Sequence, residues 1–348
     1  MKPNSLLRAG LIAFVLIAVL SILRFSSRNA APTLSSSDAP PAGVAAQHTL
    51  EVGFLPVTCH LTCPVTDFAT RSSPANHFKS KRFTNFPDVV DNLKAGRLQA
   101  TFMIAPLAMK LREQGVPVKI VYLGHRDGST VIVSKKLPAK SLRDLRGKKF
   151  AIPNRASNQY LVMQKLMEDQ GVQPSEINFL EMAPPDMPGA LAAGAIDAYF
   201  VGEPHAAKAE IDGSGRVLYH AKDIWPRFIS CVLVVTEDLI KTQPQLVKDL
   251  VRGIAQSGEW AETHREQAAK VVSPYFRQNE KLVRYVLTSP PDRVSYRMLT
   301  PTEPEMQKIA DMALKAGVLK KPLDVRELVD RSFIPTDIKP ADIKVEAS

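Results

Sequence analysis

The sequence predicts a two-lobed α/β protein, and three observations support this fold class. The chain has 348 residues, more than a single core usually accommodates, so two lobes are expected. From Thr49 onward, short apolar runs alternate with helical segments, a pattern typical of crossover units in a parallel or mixed sheet. Beyond Glu237 the pattern is helical, so this last region must pack onto the rest as additional helices.

The first α/β unit contains four predicted strands, which read TLEVGFLP, KRFTNF, LQATFMIA and VKIVYLG. Helices are predicted near Pro64–Ser72, over Pro87–Ala95 and over Pro106–Gln114. Gly96 ends the second helix and Pro106 begins the third. Glycine favours the backbone conformation that follows a helix, and proline suits the first helical turn.

A second unit follows, with strands STVIVS, KKFAIP, INFLEM and AIDAYFV, and the strand ISCVLVVT comes after it. Asn154 and Ser157 can cap the helix that extends to Gln170. The helical region is predicted to contain helices near residues 244–264, 266–275 and 303–316.

The chain can cross between lobes near Gly124–Ser129 and Pro226–Cys231. Two crossings make the first lobe discontinuous. Residues 49–126 plus 230–335 are therefore predicted to form lobe 1, residues 127–229 lobe 2, and residues 336–348 a tail. Hinged lobes of this kind can close around a ligand in the cleft between them.

The N-terminal segment has the features of an export signal. Lys2 and Arg8 precede or flank an uncharged apolar run over residues 9–23, which is short for a membrane span and typical of a signal-peptide core. Residues 26–48 are rich in Ser, Ala and Pro without a hydrophobic period, which predicts a flexible linker. Residues 1–25 are thus a cleaved signal peptide or an uncleaved membrane anchor. Under both alternatives the body is exported.

The composition excludes some classes of function. The formal net charge is +10, but no run of consecutive Lys and Arg with interleaved aromatics is present, which argues against a nucleic-acid partner. Hydrophobic residues make up 45% of the chain, as in ordinary globular proteins. A mildly basic surface is compatible with an anionic ligand.

One stretch carries a recognisable motif. Residues 182–210 read MAPPDMPGALAAGAIDAYFVGEPHAAKAE, and VGFLP, LQATFMIAPLAM and SLRDLRGKKFAIPN support the same assignment. Together they resemble the nitrate/sulfonate/taurine-type substrate-binding proteins of ABC transporters. The resemblance implies an α/β, type II periplasmic-binding-protein fold with a hinge and an interlobe cleft. It also implies reversible binding of a small anionic solute, a periplasmic or other extracytoplasmic location, a monomeric receptor, and permease and ATPase subunits as partners.

Carried over position by position, the resemblance places the cleft on loops at residues 56–59, 105–106, 154–158 and 202–205. Helix starts and the carboxyl ends of strands also suit a ligand site on physical grounds. The candidate ligand-binding residues are Thr58, Cys59, His60, Ala105, Pro106, Arg126, Asn154, Arg155, Ser157, Asn158, Tyr160, Glu203 and His205. Four of them are basic, and a guanidinium matches carboxylate, sulfonate or nitrate oxygens, which favours an anionic ligand.

Several of these residues have a second interpretation. Asn154, Ser157 and Asn158 are also good helix caps, and Glu203 binds either a ligand amine or a hinge arginine. His205 stands where the family commonly has an aromatic residue, and TCHLTCP replaces a small polar residue with glycine or alanine neighbours. Both departures leave the identity of the solute open.

Three alternatives exist for Cys59 and Cys63, which are four residues apart and flank His60. They form a short disulfide, or bind a metal with the imidazole, or remain free and half-buried. Cys231 lies in an apolar strand and is expected to be an inert core thiol. No cofactor or metal site is predicted.

Rival functions remain. No nucleophile elbow, phosphate loop or zinc-binding helix motif is found, so the protein is not expected to be an enzyme. One alternative is a binding protein or synthase for thiamine pyrimidine precursors, because that group shares the fold and uses a cysteine-rich motif, which TCHLTC partly resembles. Another is a ligand-sensing module, which an uncleaved anchor would favour.

Overall fold

The computed structural model describes residues 49–70, 78–343 and 345. The predicted signal or anchor and the linker lie outside these residues. Within the described part of the chain, no helix is both long and apolar enough to span a membrane.

The first sheet, in lobe 1, has five strands in the order β2-β1-β3-β11-β4. β1 is parallel to β2 and β3, whereas β11 runs antiparallel between β3 and β4. Four of the five strands are largely buried, and β2 at the edge is the most polar. Their bounds are β1 Leu50–Phe54, β2 Phe78–Arg82, β3 Ala100–Ile104, β4 Val118–Leu123 and β11 Cys231–Thr236.

The second sheet, in lobe 2, has the order β10-β6-β9-β7-β8. Successive side chains of its central strands enter opposite cores. Phe200 lies in one apolar cluster and Tyr199 and Val201 in the other, as the two-residue period of a strand requires. The bounds are β6 Ser129–Ser134, β7 Lys149–Ile152, β8 Asn178–Glu181, β9 Ala198–Gly202 and β10 Gly215–His220.

A two-stranded ribbon lies where the chain passes between the sheets. It pairs β5 (Arg126–Asp127) with β12 (Val294–Ser295) in antiparallel fashion. The chain leaves the first sheet after Leu123 and returns to it at Cys231. Residues from β12 therefore reach the crossing from a distant part of the sequence.

Twelve α-helices are described outside the masked residues. Ser157 caps α4 by accepting a hydrogen bond from the Tyr160 backbone N–H at 3.1 Å. The helices are α1 Thr62–Thr70, α2 Phe86–Lys94, α3 Ala105–Glu113, α4 Asn158–Asp169, α5 Met187–Ala192, α6 His205–Ile211, α7 Ala221–Ile224, α8 Glu237–Thr242, α9 Pro244–Thr263, α10 Arg265–Phe276, α11 Glu280–Thr288 and α12 Glu303–Lys315.

The C-terminal helices α8–α12 bury their apolar faces in the lobe 1 core. Trp260 of α9, Phe276 of α10 and Ile309 of α12 all belong to that cluster. The segment after residue 336 also contacts it, because the Ala341 backbone N–H donates to the Gln256 carbonyl at 3.1 Å and Ile343 packs against the cluster.

Candidate ligand-binding site between the lobes

One of the contacts between the two lobes joins the loop after β1 to the loop after β9. Residues Thr58–His60 form a buried 3₁₀ turn after β1, and Glu203 follows β9. The Thr58 backbone N–H donates to the Glu203 carbonyl oxygen at 2.7 Å. Two loops that the resemblance places on opposite sides of the cleft are thus in hydrogen-bond contact.

The hydroxyl and the carbonyl of Thr58 both have polar partners. Its hydroxyl lies 2.9 Å from His125 Nε2, and the Tyr296 hydroxyl donates to its carbonyl at 3.0 Å. Burial lowers the pKa of His125 to about 4, so its imidazole is neutral at pH 7. The other ring nitrogen, Nδ1, has no partner among the described residues.

His60 has a defined tautomer. Its Nδ1 accepts the Leu55 backbone N–H at 2.7 Å, so the ring proton is on Nε2. That Nε2–H is buried and has no partner in the described chain. The ring itself lies against Phe102, with ring centres 5.3 Å apart. His60 therefore offers one unused donor.

The start of α4 contributes amides to the same region. Asn158 donates through Nδ2 to the Ile229 carbonyl in the crossing segment, and Gln159 Nε2 donates to the Ser129 hydroxyl at 3.2 Å. The side-chain oxygens of both residues are buried without a described partner. These two amides bridge α4 to the crossing and leave two acceptors unused.

His205 begins α6, and its side chain donates to the Pro56 carbonyl of lobe 1. Burial, with a smaller effect of the nearby positive charges of Arg82 and Lys208, lowers the pKa of His205 to about 4. Its Nε2 has no described partner and, in the neutral ring, is an acceptor.

Arg82 lies at the carboxyl end of β2, close enough for its charge to act on His205. Burial and the charge of Arg277 lower the pKa of Arg82. Its Nε is buried without a partner, and it forms no ion pair with any residue that the structure describes. A positive charge without a counter-charge thus borders the contact between the lobes.

Glu203 is occupied by protein partners. Its carboxylate pairs with Arg293 at 3.0 Å and accepts from the Thr130 hydroxyl at 3.1 Å and the Ala207 backbone N–H at 2.8 Å. Burial raises the pKa of Glu203, and the Arg293 charge opposes that shift. Of the two interpretations of Glu203, the structure has the arginine partner and not a free carboxylate for a ligand amine.

Arg126, a candidate ligand-binding residue, is held by protein groups. Its guanidinium is bidentate to the Glu305 carboxylate at 2.8 and 3.2 Å, and its Nε donates to the Met298 carbonyl at 2.9 Å. Because these groups occupy both ends of a buried guanidinium, Arg126 links the crossing segment to α12 and has little donor capacity left.

Arg155 and Asn154 have local partners in lobe 2, and Tyr160 packs against the apolar clusters of both lobes. The exposed Arg155 donates to the Phe179 carbonyl at 3.1 Å and lies over the Tyr160 ring, 5.6 Å from its centre. Asn154 accepts the Ala156 backbone N–H at 2.8 Å, which stabilises the turn before α4. Ala105 and Pro106 are buried at the start of α3 after β3, where no side-chain cap is present.

The cysteines are all free and buried. Of the three alternatives for Cys59 and Cys63, the structure has free thiols, although they are buried and not half-buried, and the Cys63 thiol is directed at the Val52 carbonyl at 3.6 Å. Cys231 is a buried core thiol in β11, as expected, and its sulfur lies 2.8 Å from that of Cys59. The two sulfurs of Cys59 and Cys231 and one ring nitrogen of His60, which are atoms able to bind a metal ion, all lie within 4.8 Å of one another.

A groove of about 560 Å³ lies elsewhere. It lies between α4 and α12 and is lined by Leu161, Met312 and Ala316, with Lys315 paired to Glu168 at 2.7 Å across it. None of the unpartnered buried atoms described above lines it. We therefore place the candidate site at the loop contact and not in this groove.

Sequence reasoning missed at least five residues of the site, among them Gln159, which directly follows the predicted Asn158. Arg82 ends a strand at the carboxyl edge of the sheet, a position that could have identified it. His125 lies next to the predicted crossing. Arg293 and Tyr296 come from the segment around β12, which has no motif, so nothing in the sequence indicates that they reach residues 58 and 203.

Two solved structures define the class of fold. A ligand-binding component of an ABC-type import system from Staphylococcus aureus, solved with zinc bound, has a TM-score of 0.74 at 26% identity and covers 82% of this chain and 98% of its own. The periplasmic nitrate-binding protein NrtA of Synechocystis has a TM-score of 0.75 at 14% identity, with coverages of 82% and 86%. The fold is the two-lobed periplasmic-binding-protein fold, as predicted.

The sequence comparison gives the family. Residues 43–274 match the NMT1-like family, and the chain belongs to it. The nitrate import ATP-binding protein NrtC of Synechocystis is 28% identical over 197 residues, which are 51% of this chain and 29% of that protein. The chain spans about a third of the length of the first curated relatives that it matches.

Proposed function

We propose that this protein is an extracytoplasmic solute-binding protein of an ABC importer, which reversibly captures a small anionic solute between its lobes. Family membership and the likeness to a ligand-binding component of an ABC-type import system support this role. The binding step needs no chemistry from the protein. A monomeric receptor that works with a permease and an ATPase is part of the same proposal.

The observation on which the proposal rests is a set of buried polar atoms near the contact between the lobes that have no partner among the described residues. Lobe 1 supplies His60 Nε2, and lobe 2 supplies His205 Nε2 and Asn158 Oδ1. Leaving a buried polar atom unsatisfied costs about 1–3 kcal/mol. Three such atoms, in a turn of lobe 1 and at two helix starts of lobe 2, are expected where a ligand completes the hydrogen bonds.

The chemistry of these atoms restricts the chemical class of the solute. Arg82 provides positive charge without a counter-charge, which favours an anionic group. His60 offers a donor, whereas neutral His205 and Asn158 offer acceptors. We therefore infer a solute with an oxyanion and at least one N–H or O–H donor, such as an aminosulfonate, bicarbonate or an amino- or hydroxy-carboxylate.

A thermal-shift panel tests this proposal. The purified protein is heated with nitrate, bicarbonate, alkanesulfonates, taurine, aromatic carboxylates and pyrimidines. A ligand at 100 times its Kd stabilises the folded state by about 2.7 kcal/mol, which raises the midpoint by several degrees. We expect a response to oxyanions that carry a donor. A response restricted to neutral or cationic compounds would contradict the proposed solute class, and a response to pyrimidines alone would support the thiamine-precursor alternative.

A further inference from the structure

Two buried cysteines from distant parts of the sequence face each other beside the candidate site. Cys59 lies in the 3₁₀ turn after β1, and Cys231 is the first residue of β11. Their sulfur atoms are 2.8 Å apart. Cys63, only four residues from Cys59, has its thiol against a backbone carbonyl instead.

The backbone is built to allow this approach. Gly124 donates its N–H to the Cys231 carbonyl at 2.9 Å, and a Cβ at Gly124 would lie 2.1 Å from the Cys59 carbonyl oxygen and 3.3 Å from that of Cys231. A residue without a side chain therefore lies between the two cysteine backbones. Any larger residue would push them apart.

The geometry favours a sulfur–sulfur bond over a metal site. Two thiolates that bind one tetrahedral zinc at about 2.3 Å are separated by roughly 3.8 Å, a full ångström more than here, whereas a disulfide bond is about 2.05 Å long. Each neighbouring imidazole also has one ring nitrogen occupied by a protein group. His60 Nδ1 accepts from Leu55, which holds the proton on Nε2, and His125 Nε2 contacts the Thr58 hydroxyl.

The thiols differ in reactivity. Burial alone would raise the pKa of Cys59, but the Cys231 thiol and the His60 imidazole outweigh burial and lower it well below the ordinary value. Burial raises the pKa of Cys63, with a further contribution from Asp67. Since the thiolate is the attacking species, Cys59 is the nucleophile and Cys63 a poor competitor.

We propose that Cys59 and Cys231 form a reversible disulfide that links the turn after β1 to β11. The oxidant is a disulfide donor of the thiol–disulfide exchange class. The Cys59 thiolate attacks one donor sulfur and releases a thiolate. Cys231, after losing its proton, then attacks the mixed disulfide and releases the second thiolate. Two protein thiols and one donor disulfide give one protein disulfide and two donor thiols.

The consequence is that the redox state of the protein decides whether the turn at the candidate site is cross-linked to β11. In the oxidised protein the turn that presents Thr58 and His60 is covalently fixed to the central antiparallel strand of lobe 1. Because both thiols are buried, exchange takes place while the chain folds or during local opening. The proposal stands whether or not the site binds the solute inferred above.

The test is to refold the full chain in a mixture of oxidised and reduced glutathione, block free thiols under denaturing conditions, and map the cross-link by mass spectrometry. No Lys or Arg separates Cys59 from Cys63, so trypsin leaves both in one peptide. Chymotrypsin, which cleaves after Leu61, distinguishes them. We expect one free thiol, at Cys63, and a Cys59–Cys231 link whose reduction lowers the thermal midpoint by on the order of 5 °C.

Two variants provide the controls. Cys63→Ser should keep the link, and Cys231→Ser should remove it and make the midpoint insensitive to reductant. A Cys59–Cys63 link, or three free thiols in the refolded wild type, would overturn the proposal. Thiols that resist the blocking reagent only while zinc is bound, and that react once a chelator is added, would also overturn the proposal, in favour of a metal site. The mapping on wild-type protein decides the matter even if Cys231→Ser fails to fold.

Discussion

Arg293 and Glu203 form a buried ion pair across the two lobes, with 3.0 Å between Nη1 and Oε1. Arg293 lies just before β12, between helices α11 and α12 of lobe 1, and Glu203 follows β9 of lobe 2. Arg293 also pairs with Glu210 of α6 at 3.1 Å. The position of the lobes in this structure therefore depends on charges that are hidden from water.

Breaking this pair from one side should be costly. Arg293→Met leaves the Glu203 carboxylate buried without its counter-charge, and such changes destabilise by about 3–5 kcal/mol. The double variant Arg293→Met/Glu203→Gln should recover a large part of the loss. Urea denaturation of the wild type, Arg293→Met, Glu203→Gln and the double variant gives the coupling energy between the two side chains. A coupling indistinguishable from zero would mean that the pair does not hold the lobes.

The two buried imidazoles predict how stability depends on pH. The pKa of His125 and that of His205 are each lowered to about 4, from an ordinary value of 6.5. Only the unfolded chain takes up these protons as the pH falls from 6.5 to 4, so the free energy of unfolding decreases over that window. Each residue accounts for up to about 3 kcal/mol.

Denaturation midpoints measured from pH 7 to pH 4 check this dependence. His205→Gln and His125→Gln should each reduce the slope of stability against pH, whatever they do to the stability at pH 7. The same slope in wild type and both variants would show that these imidazoles are not held neutral by the fold.

Gly124 offers a test of the close backbone contact between Gly124 and Cys59. Gly124→Ala places a Cβ against the Cys59 carbonyl oxygen and should destabilise by about 3 kcal/mol or more, because backbone must move. Gly189, in α5, is the matched control. Its Cβ position is open, so Gly189→Ala should stabilise the helix by about 0.5–1 kcal/mol. Equal thermal midpoints for the two variants would contradict the contact.

Helix caps, prolines at helix starts and apolar strand patterns made much of the fold predictable from the sequence. Ser157 was predicted to cap α4 and does so, and α3 was predicted to begin at Pro106 and begins one residue earlier. The strand predicted as KRFTNF was shifted, since β2 ends at Arg82. Asn85 caps α2 through the Asp88 backbone N–H, which makes Phe86 the first residue of a helix. The helix α11 was missed.

The site was less predictable because its residues acquire their roles from distant partners. A basic residue near a crossing looks the same in sequence whether it binds a ligand or, as Arg126 does, a carboxylate 179 residues away. The spacing of Cys59 and Cys63 suggested a local bond, whereas the sulfur nearest Cys59 is 172 residues distant. Only the three-dimensional arrangement brings these groups together.

The most direct test of the central claim is calorimetric titration of the best solute from the thermal panel. Arg82→Gln removes the unpaired charge of lobe 1, and His205→Gln changes the acceptor of lobe 2. The control is Arg97→Gln. Arg97 is exposed and precedes β3, so it lies at the amino ends of the parallel strands, whereas Arg82 lies at their carboxyl ends. Binding between the lobes predicts at least a roughly tenfold loss of affinity in each site variant, equivalent to about 1.4 kcal/mol, and none in the control. Wild-type affinity in both site variants would contradict it.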